Sequence, residues 1–180
     1  MFNKLKGQRI IITGASSGIG EALAIECARR GMHLGLVARR EEYLHRLAER
    51  LRPSGVQIET AVLDVTQTDQ VTPTLSGLAD LLGGVDIVVA NAGILNSRKV
   101  GDGRIHRDQR MFQTNVMGAI ATSEAAIQLF RLQGKGGQIA VTSSYAAFLP
   151  LPMAAAYSAS KAAVTSYFNA IRAPLLCENI

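Results

Sequence analysis

The sequence is poor in the residues that mark small secreted proteins and structural metal sites. It contains 2 cysteines among 180 residues, and these stand far apart, at Cys27 and Cys177, with no CxxC or Cys/His spacing. This pattern argues against a disulfide framework and against a zinc site, so we expect no metal and a reducing compartment. A chain of this length removes roughly 70% of its unfolded surface from water on folding, so its core needs no such cross-links.

Long apolar runs and aromatic residues are also scarce. No run approaches the roughly 18 residues that span a bilayer, and the apolar run at 10–12 is too short for the core of a signal peptide, so we expect a cytoplasmic protein with no membrane partner. Tryptophan is absent and aromatic residues make up 5% of the chain, which disfavours a base-stacking surface. The net charge of +5 favours an anionic partner such as nucleic acid, a phospholipid surface or a phosphorylated small molecule, and charge alone does not choose among them. We expect no nucleic acid, because no basic run is longer than two residues.

Short apolar segments alternate with longer amphipathic ones from the first residues onward. This alternation predicts an α/β fold, in which right-handed βαβ units build one parallel sheet. Within the helices, we expect the stripe of Ile19, Leu23 and Cys27 to face the sheet, and Pro73 to interrupt the third helix. The predicted strands are 9–13, 33–38, 57–63, 85–90 and 138–142, and the predicted helices are 18–30, 41–51, 68–82, 108–132 and 157–176.

The first predicted strand runs directly into the glycine-rich turn TGASSGIG at 13–20, which opens the first helix. Gly14 suits the tight turn, Gly18 lets the backbone approach a pyrophosphate, and Gly20 allows close packing of helix on strand. The N–H groups at the start of the helix then face the phosphate charge. Three glycines are often no more than a turn, but the strand–turn–helix setting favours a dinucleotide-binding site.

The second predicted strand ends at Ala38, where an acidic residue would bind the 2′-hydroxyl of NAD. Arg39 and Arg40 follow instead. The small Ala38 leaves room for a 2′-phosphate, and an arginine supplies a planar cation to bind it, so we expect NADP(H) as the cofactor. The alternative is a pair of solvated charges at the start of a helix.

Tyr157 and Lys161 are four residues apart at the start of the last predicted helix, so their side chains share one face. A free tyrosine hydroxyl titrates near pH 10, and a phenol that exchanges protons at neutral pH needs a cation beside it. Lys161 supplies such a cation, and Ser144, thirteen residues before Tyr157, offers a hydroxyl to a carbonyl oxygen. The alternative is a chance pairing of a half-buried tyrosine with a surface lysine, and the order of the motifs along the chain argues against it.

In this order the motifs resemble those of the short-chain dehydrogenase/reductase family. Besides the glycine-rich turn, the resemblance rests on Asp64-Val65 after the third strand, Asn91-Ala92-Gly93 after the fourth, Asn115 in the next helix, and Ser144 with YSASK at 157–161. It covers the chain from about residue 8 to residue 180. It implies a Rossmann-type, doubly wound parallel sheet flanked by helices, as a single dinucleotide-binding domain over 1–180.

The resemblance also implies roles for individual residues. Tyr157 donates the proton during reduction, Lys161 binds the nicotinamide ribose and favours ionisation of the phenol, Ser144 positions the substrate oxygen, and Asn115 holds a water molecule that links Lys161 to solvent. Asp64 binds the adenine amino group, and Val65 packs on the adenine ring. The full set of cofactor-binding residues is Gly14, Ser16, Ser17, Gly18, Ile19, Gly20, Arg39, Arg40, Asp64, Val65, Asn91, Ala92, Gly93, Tyr157 and Lys161.

Members of this family continue beyond the last predicted helix into further strands and a substrate-covering segment, which we expect this chain to lack. Two functions therefore stay open. The first is an NADP(H)-dependent oxidoreductase that acts on a small carbonyl or secondary alcohol substrate. The second is a catalytically impaired nucleotide-binding subunit with a scaffold role. The resemblance further implies a homodimer or homotetramer, and the alanine-rich stretches 121–126 and 154–163 suit close helix contacts.

Overall fold

Five parallel strands form the centre of the protein, whose computed structural model describes residues 5–180. The first four residues of the domain predicted over 1–180 lie outside this described part. The strands are β1 (Arg9–Thr13), β2 (His33–Ala38), β3 (Ile58–Val62), β4 (Ile87–Ala90) and β5 (Gln138–Val141). The α-helices are α1 (Gly18–Arg29), α2 (Glu41–Leu51), α3 (Thr68–Leu82), α4 (Ile105–Phe112), α5 (Gly118–Gln133) and α6 (Ala155–Leu176).

The strands lie in the order β3-β2-β1-β4-β5, and every neighbouring pair is parallel. The chain therefore moves outward from β1 to β3, crosses back to β4 beside β1, and then moves outward on the other side. This order is that of a doubly wound sheet, so the predicted Rossmann-type α/β fold is confirmed. Such a sheet binds ligands at the carboxyl ends of the strands where the order reverses, which here are β1 and β4.

Alternating side chains of β1 supply two cores, one on each face of the sheet. Ile10 and Ile12 pack with residues of α1 and α2, whereas Ile11 packs with residues of α3 and α5. All three isoleucines are almost fully buried. Both faces of the sheet are therefore covered by helices, which explains why its strands read as continuous apolar runs.

The helix predicted at 108–132 has a different form in the structure. It begins at Ile105 and contains a turn of π-helix, Gln113–Met117, between α4 and α5. A π-helical turn adds one residue to a helical turn and shifts the side chains that follow. The predicted single helix was wrong at this point, because hydrophobic periodicity does not reveal one inserted residue.

Two smaller predictions about the helices were wrong. Pro73 lies inside the continuous helix α3. Ile19 does not face the sheet, since 66% of its surface is exposed at the start of α1. Ala125 and Ala126 of the first alanine-rich stretch are fully buried in the core with α3, so the close helix contacts that they make lie within the chain. Within residues 5–180, no helix is both long enough and apolar enough to cross a membrane.

Candidate active site

A cleft of about 500 Å³ opens along the carboxyl ends of all five strands. Its volume lies in the range of small-molecule and cofactor sites. It runs from the glycine-rich turn after β1 to the first turns of α6. The residues that line it are Gly14, Ser16, Ser17, Gly18, Ile19, Ala38, Arg39, Arg40, Leu63, Asp64, Val65, Asn91, Ala92, Gly93, Ile94, Leu95, Thr114, Thr142, Tyr157 and Lys161.

The glycine-rich turn has the backbone that a close approach to a ligand requires. Gly14 and Gly18 have φ values of +69° and +60°, a left-handed conformation that strongly favours glycine. A Cβ at Gly14 would lie 2.7 Å from the Cα of Ala92, and one at Gly20 would collide with the carbonyl oxygen of Gly14. Helix α1 has no side-chain cap at its start. Its first N–H groups are therefore available to an anion in the cleft.

A chain of hydrogen bonds connects this turn with Lys161 on α6. The side-chain amide of Asn91 donates to the carbonyl oxygens of Thr13 at 3.0 Å and Gly14 at 3.3 Å. The Thr142 hydroxyl donates to the amide oxygen of Asn91 at 2.9 Å. The Lys161 ammonium in turn donates to the Thr142 carbonyl at 2.6 Å. The position of the lysine is therefore fixed relative to the glycine-rich turn by hydrogen bonds between three strand ends.

Tyr157 and Lys161 meet on the wall of the cleft, as their spacing predicts. The Lys161 ammonium lies 6.0 Å from the centroid of the Tyr157 ring. Lys161 is 95% buried, since 5% of its surface is exposed, and this burial lowers the pKa of the ammonium. Among residues 5–180, no hydrogen-bond partner satisfies the Tyr157 hydroxyl. The cleft thus presents a phenol whose proton is free to interact with a ligand.

Asn115 lies in the π-helical turn and is almost fully buried behind the cleft wall. Its amide oxygen accepts from the N–H of Ile94 at 2.8 Å, and its amide nitrogen donates to the Ile94 carbonyl at 2.9 Å and to the Ser160 hydroxyl at 3.1 Å. The amide therefore anchors the segment after β4 to α6. Asn115 does not line the cleft, and these three hydrogen bonds all join it to protein groups.

The two arginines after β2 both line the cleft, beside Asp64 and Val65. Arg39 forms an ion pair with Asp64 at 3.4 Å. Partial burial by itself raises the pKa of the Asp64 carboxyl, but hydrogen bonds from Thr66 and the charge of Arg39 outweigh it and lower that pKa. The carboxylate thus stays ionised at neutral pH and accepts hydrogen bonds at this end of the cleft.

Ser144 is the predicted site residue whose placement departs most from expectation. Strand β5 ends at Val141, and Ser144 starts a short 3₁₀ turn outside the wall of the cleft. Its hydroxyl oxygen accepts from the N–H of Ala146 at 3.2 Å, which leaves its own proton to donate elsewhere. Gly20 and Asn115 likewise lie behind the wall rather than on it.

Several residues on the wall were missed by sequence reasoning. Leu63, Ile94, Thr114 and Thr142 carry no catalytic or phosphate-binding signature. The one available signal was their position, since each ends or closely follows a predicted strand or lies on the helix beside it.

Comparisons with known proteins agree with this geometry. The model of the short chain dehydrogenase family matches residues 8–180. An uncharacterized oxidoreductase of Mycobacterium tuberculosis (strain ATCC 25618 / H37Rv) is 35% identical over 175 residues, which cover 96% of this chain and 69% of that protein.

Two solved structures illustrate the range of cofactors among similar proteins. L-Sorbose reductase from Gluconobacter frateurii, complexed with NADPH and L-sorbose, has a TM-score of 0.92 and 30% identity, over 100% of this chain and 68% of that one. A short chain dehydrogenase/reductase from Burkholderia phymatum, in complex with NAD, has a TM-score of 0.88 and 29% identity, over 93% of this chain and 60% of that one. In sequence and in fold, the chain belongs to the short-chain dehydrogenase family of oxidoreductases.

Proposed function

We propose that the cleft binds NADP(H) and that the protein reduces a carbonyl group, or oxidises a secondary alcohol, at the Tyr157 end. One observation carries this proposal: the unpartnered Tyr157 hydroxyl and the buried Lys161 ammonium lie on the wall of a cleft that begins at a glycine-rich helix start. When bound, the nicotinamide supplies or accepts the hydride. The side chains of the protein bind and orient the cofactor and the substrate, and they exchange the proton with the substrate oxygen.

The residues present fit a dinucleotide. The left-handed glycines and the uncapped start of α1 suit a pyrophosphate, which carries negative charge and needs close backbone N–H donors. Val65 is buried against the cleft and offers an apolar surface to an adenine ring, and Asp64 offers an acceptor to its amino group. The preference for NADP(H) over NAD(H) rests on Arg39 and Arg40, since the uncharged Ala38 stands where an acidic residue would bind the 2′-hydroxyl of NAD.

In this proposal Tyr157 donates its proton to the carbonyl oxygen as negative charge develops there, and takes it back in the reverse direction. Lys161 binds the ribose hydroxyls and stabilises the phenolate by its positive charge. Ser144 donates its free proton to the same substrate oxygen. Asn115 acts through the segment after β4, which it holds in place for the cofactor.

The test is the substitution Tyr157→Phe, which removes the hydroxyl and keeps the ring. With NADPH and a panel of aldehydes and ketones, we expect kcat to fall by at least about 100-fold, as for loss of a general acid. We expect NADPH affinity, measured by fluorescence titration, to stay within about twofold, because the substitution leaves the phosphate-binding residues unchanged. Undiminished turnover in Tyr157→Phe would refute the role of the phenol.

Tyr167→Phe is the matched control. Tyr167 lies on the same helix, but its hydroxyl donates to Glu124 at 2.8 Å, away from the cleft. We expect this variant to keep full turnover. NADPH binding by the unmodified protein without turnover of any carbonyl would contradict the catalytic proposal and favour a nucleotide-binding subunit instead.

The small carbonyl or alcohol substrate and assembly as a homodimer or homotetramer also belong to this proposal. They rest on the resemblance of the motifs to those of the family.

A further inference from the structure

Two irregular segments meet near the Tyr157 end of the cleft, and packing of apolar side chains does not hold either of them. The first segment spans residues 94–104, and none of these described residues is fully buried. The second segment spans residues 148–153, all of which are exposed. Leu95 of the first segment lines the cleft, and the second segment connects Ser144 with Tyr157. A substrate at Tyr157 therefore lies beside segments whose positions depend on hydrogen bonds.

Arg98 is the centre of the hydrogen bonds in the first segment. Its Nε donates to the two carboxylate oxygens of Asp108 at 3.0 and 3.1 Å, and one of its terminal nitrogens donates to the same carboxylate. The other terminal nitrogen donates to Asp102 at 2.7 Å. Most of each of these three side chains is buried. Because Asp108 lies in α4, these bonds attach the first segment to the helix that follows it.

Both carboxylates stay ionised at neutral pH. The hydrogen bonds from Arg98 lower the pKa of the Asp108 carboxyl. The pKa of Asp102 is also lowered, first by the hydrogen bond from the N–H of Arg104 and then by the charge of Arg98. Hydrogen bonds between ionised groups are stronger than those between neutral groups, and the planar guanidinium fixes their directions. Arg98, Asp102 and Asp108 thus form a rigid unit, the Arg98 clamp.

The backbone of Arg98 joins this clamp to the second segment. Its N–H donates to the carbonyl oxygen of Met153 at 2.9 Å. Met153 has a φ of +61°, a left-handed conformation that is uncommon for residues other than glycine. The bond from Arg98 therefore stabilises a backbone conformation that Met153 would rarely adopt by itself. The second segment is also attached to α6, since the N–H of Leu151 donates to the Ser158 hydroxyl at 3.0 Å.

The part of α6 that carries the reactive side chains is held without the clamp. Ser158, Ser160 and Lys161 are buried. The Ser160 hydroxyl accepts from the Asn115 amide at 3.1 Å, and the Lys161 ammonium donates to the Thr142 carbonyl at 2.6 Å. Loss of the clamp should therefore displace the two segments and leave the phenol and the ammonium in place.

We propose that Arg98 is a positioning residue for the carbonyl substrate, and that its clamp holds the first and second segments together beside the Tyr157 hydroxyl. This inference rests on the proposed function, since it assumes that the substrate lies at this end of the cleft. It assigns to Arg98 an effect on substrate binding, which is separate from cofactor binding and from the proton transfer.

Amide hydrogen exchange, followed by mass spectrometry on the full chain, reports the clamp without turnover. Arg98→Met removes the guanidinium and keeps a long, unbranched side chain. In this variant we expect the exchange rates of both segments to rise together by about tenfold, because each segment loses the bonds that hold it. Exchange in the glycine-rich turn at 13–20 is expected to stay unchanged.

Steady-state kinetics report the effect on the substrate. The probe is benzaldehyde or cyclohexanone, whichever the unmodified protein reduces faster with NADPH. For Arg98→Met we expect the KM for this carbonyl to rise by about 5- to 10-fold, with kcat within about threefold and the KM for NADPH within about twofold. A merely structural loss would reduce the active fraction, and so would lower the apparent kcat and leave both KM values unchanged.

The partner of Arg98 is tested by Asp108→Asn and by the double variant Arg98→Met/Asp108→Asn. We expect each single variant to raise the carbonyl KM by a similar factor, and the double variant to raise it no further, because all three break the same clamp. Arg107→Met is the matched control, since Arg107 is exposed on α4 and forms no ion pair in the described part of the chain. It should leave the exchange rates and both KM values unchanged, and thermal melts establish that each variant is folded.

Unchanged exchange of the second segment in Arg98→Met would overturn the inference, because the clamp would then not hold that segment. A fall in kcat with an unchanged carbonyl KM would overturn it too, as would additive effects of the Arg98 and Asp108 substitutions. If the unmodified protein turned over no carbonyl compound, the proposed function would fail, and the role of Arg98 in substrate binding with it. The exchange rates would show separately whether the clamp joins the two segments.

Discussion

Lys161 illustrates how the fold changes the chemistry of one residue. Its side chain is almost fully buried, and its ammonium donates to a backbone carbonyl, that of Thr142. Burial disfavours the charged form and lowers the pKa of Lys161. The sequence predicts that the lysine lies beside Tyr157, because helical spacing fixes that relation. It does not predict the bond to Thr142, because every residue has a backbone carbonyl and sequence does not mark which of them a fold brings near.

The lowered pKa predicts a pH dependence of stability. The lysine binds its proton more tightly in the unfolded chain than in the folded one. At pH values below the folded pKa, the protonated Lys161 therefore lowers the free energy of unfolding. This penalty disappears as the pH rises towards the unfolded value near 10.4. The gain in stability of Lys161→Met relative to the unmodified protein should therefore shrink as the pH rises from 7 towards 10. Urea unfolding at several pH values measures this difference, and a difference that stays constant or grows would refute the assignment.

The site residues fall into two groups in how well sequence predicts them. Those that bind through backbone geometry or through their own functional group, such as Gly14, Gly18 and Tyr157, stand out by type and spacing. The stacking of the Arg40 guanidinium on the Tyr43 ring was not foreseen, because it depends on the angle at which α2 leaves β2. Nor was the placement of Ser144 beyond the cleft wall, which depends on where strand β5 ends.

At the scale of elements, a single ion pair joins β1 to the segment that precedes β4. The Arg9 side chain donates to both oxygens of the Asp86 carboxylate at 2.8 Å, and the Arg9 N–H donates to it as well. Partial burial by itself raises the pKa of Asp86, but the hydrogen bonds from Arg9 outweigh it and lower that pKa to about 2. This pair ties the first residue of β1 to the residue before β4, and the cleft opens at the other ends of these two strands.

Asp86→Asn should therefore destabilise the protein in a pH-dependent way. Because the folded pKa is lower than the unfolded value near 3.9, the stabilisation by Asp86 is complete above that value and is lost as the pH falls through about 2. We expect a loss of about 2 kcal/mol in the free energy of unfolding at pH 7, which shrinks as the pH falls from 4 to 2.

Asp80→Asn is the control for this prediction, since Asp80 is exposed at the end of α3 and makes no such ion pair in the described part of the chain. It should change the free energy of unfolding by no more than about 0.5 kcal/mol. An Asp86→Asn effect of that same small size, or one independent of pH, would show that the ion pair does not join the strands.

Most strands and helices could be predicted from the sequence. Short continuous apolar runs indicate buried strands, whereas apolar residues three or four positions apart indicate amphipathic helices. The exceptions have local causes. The π-helical turn at Gln113–Met117 places Asn115 where it reaches the backbone of Ile94, and this tertiary hydrogen bonding offsets the irregular turn. Helix α3 tolerates Pro73 because Val71, Leu75 and Leu78 bury its apolar face in the core.

For the whole molecule, the order of strands decides where the site lies. The sequence predicted a parallel sheet from the alternation of elements, and the family resemblance supplied its doubly wound form. The pairing of β4 with β1 is a contact between distant parts of the chain that no local pattern encodes. That pairing brings Asn91 beside Thr13 and Gly14, and so unites the glycine-rich turn with the side chains from α6 in one cleft.

The central claim is that this cleft holds NADP(H) in one orientation, and a crystal structure of the chain grown with NADP⁺ tests it most directly. We predict electron density for one dinucleotide along the carboxyl ends of the strands, with its 2′-phosphate beside Arg39 and Arg40 and its nicotinamide beside Tyr157 and Lys161. A dinucleotide bound in the reverse orientation would contradict the account, as would an empty cleft at cofactor concentrations that saturate related reductases.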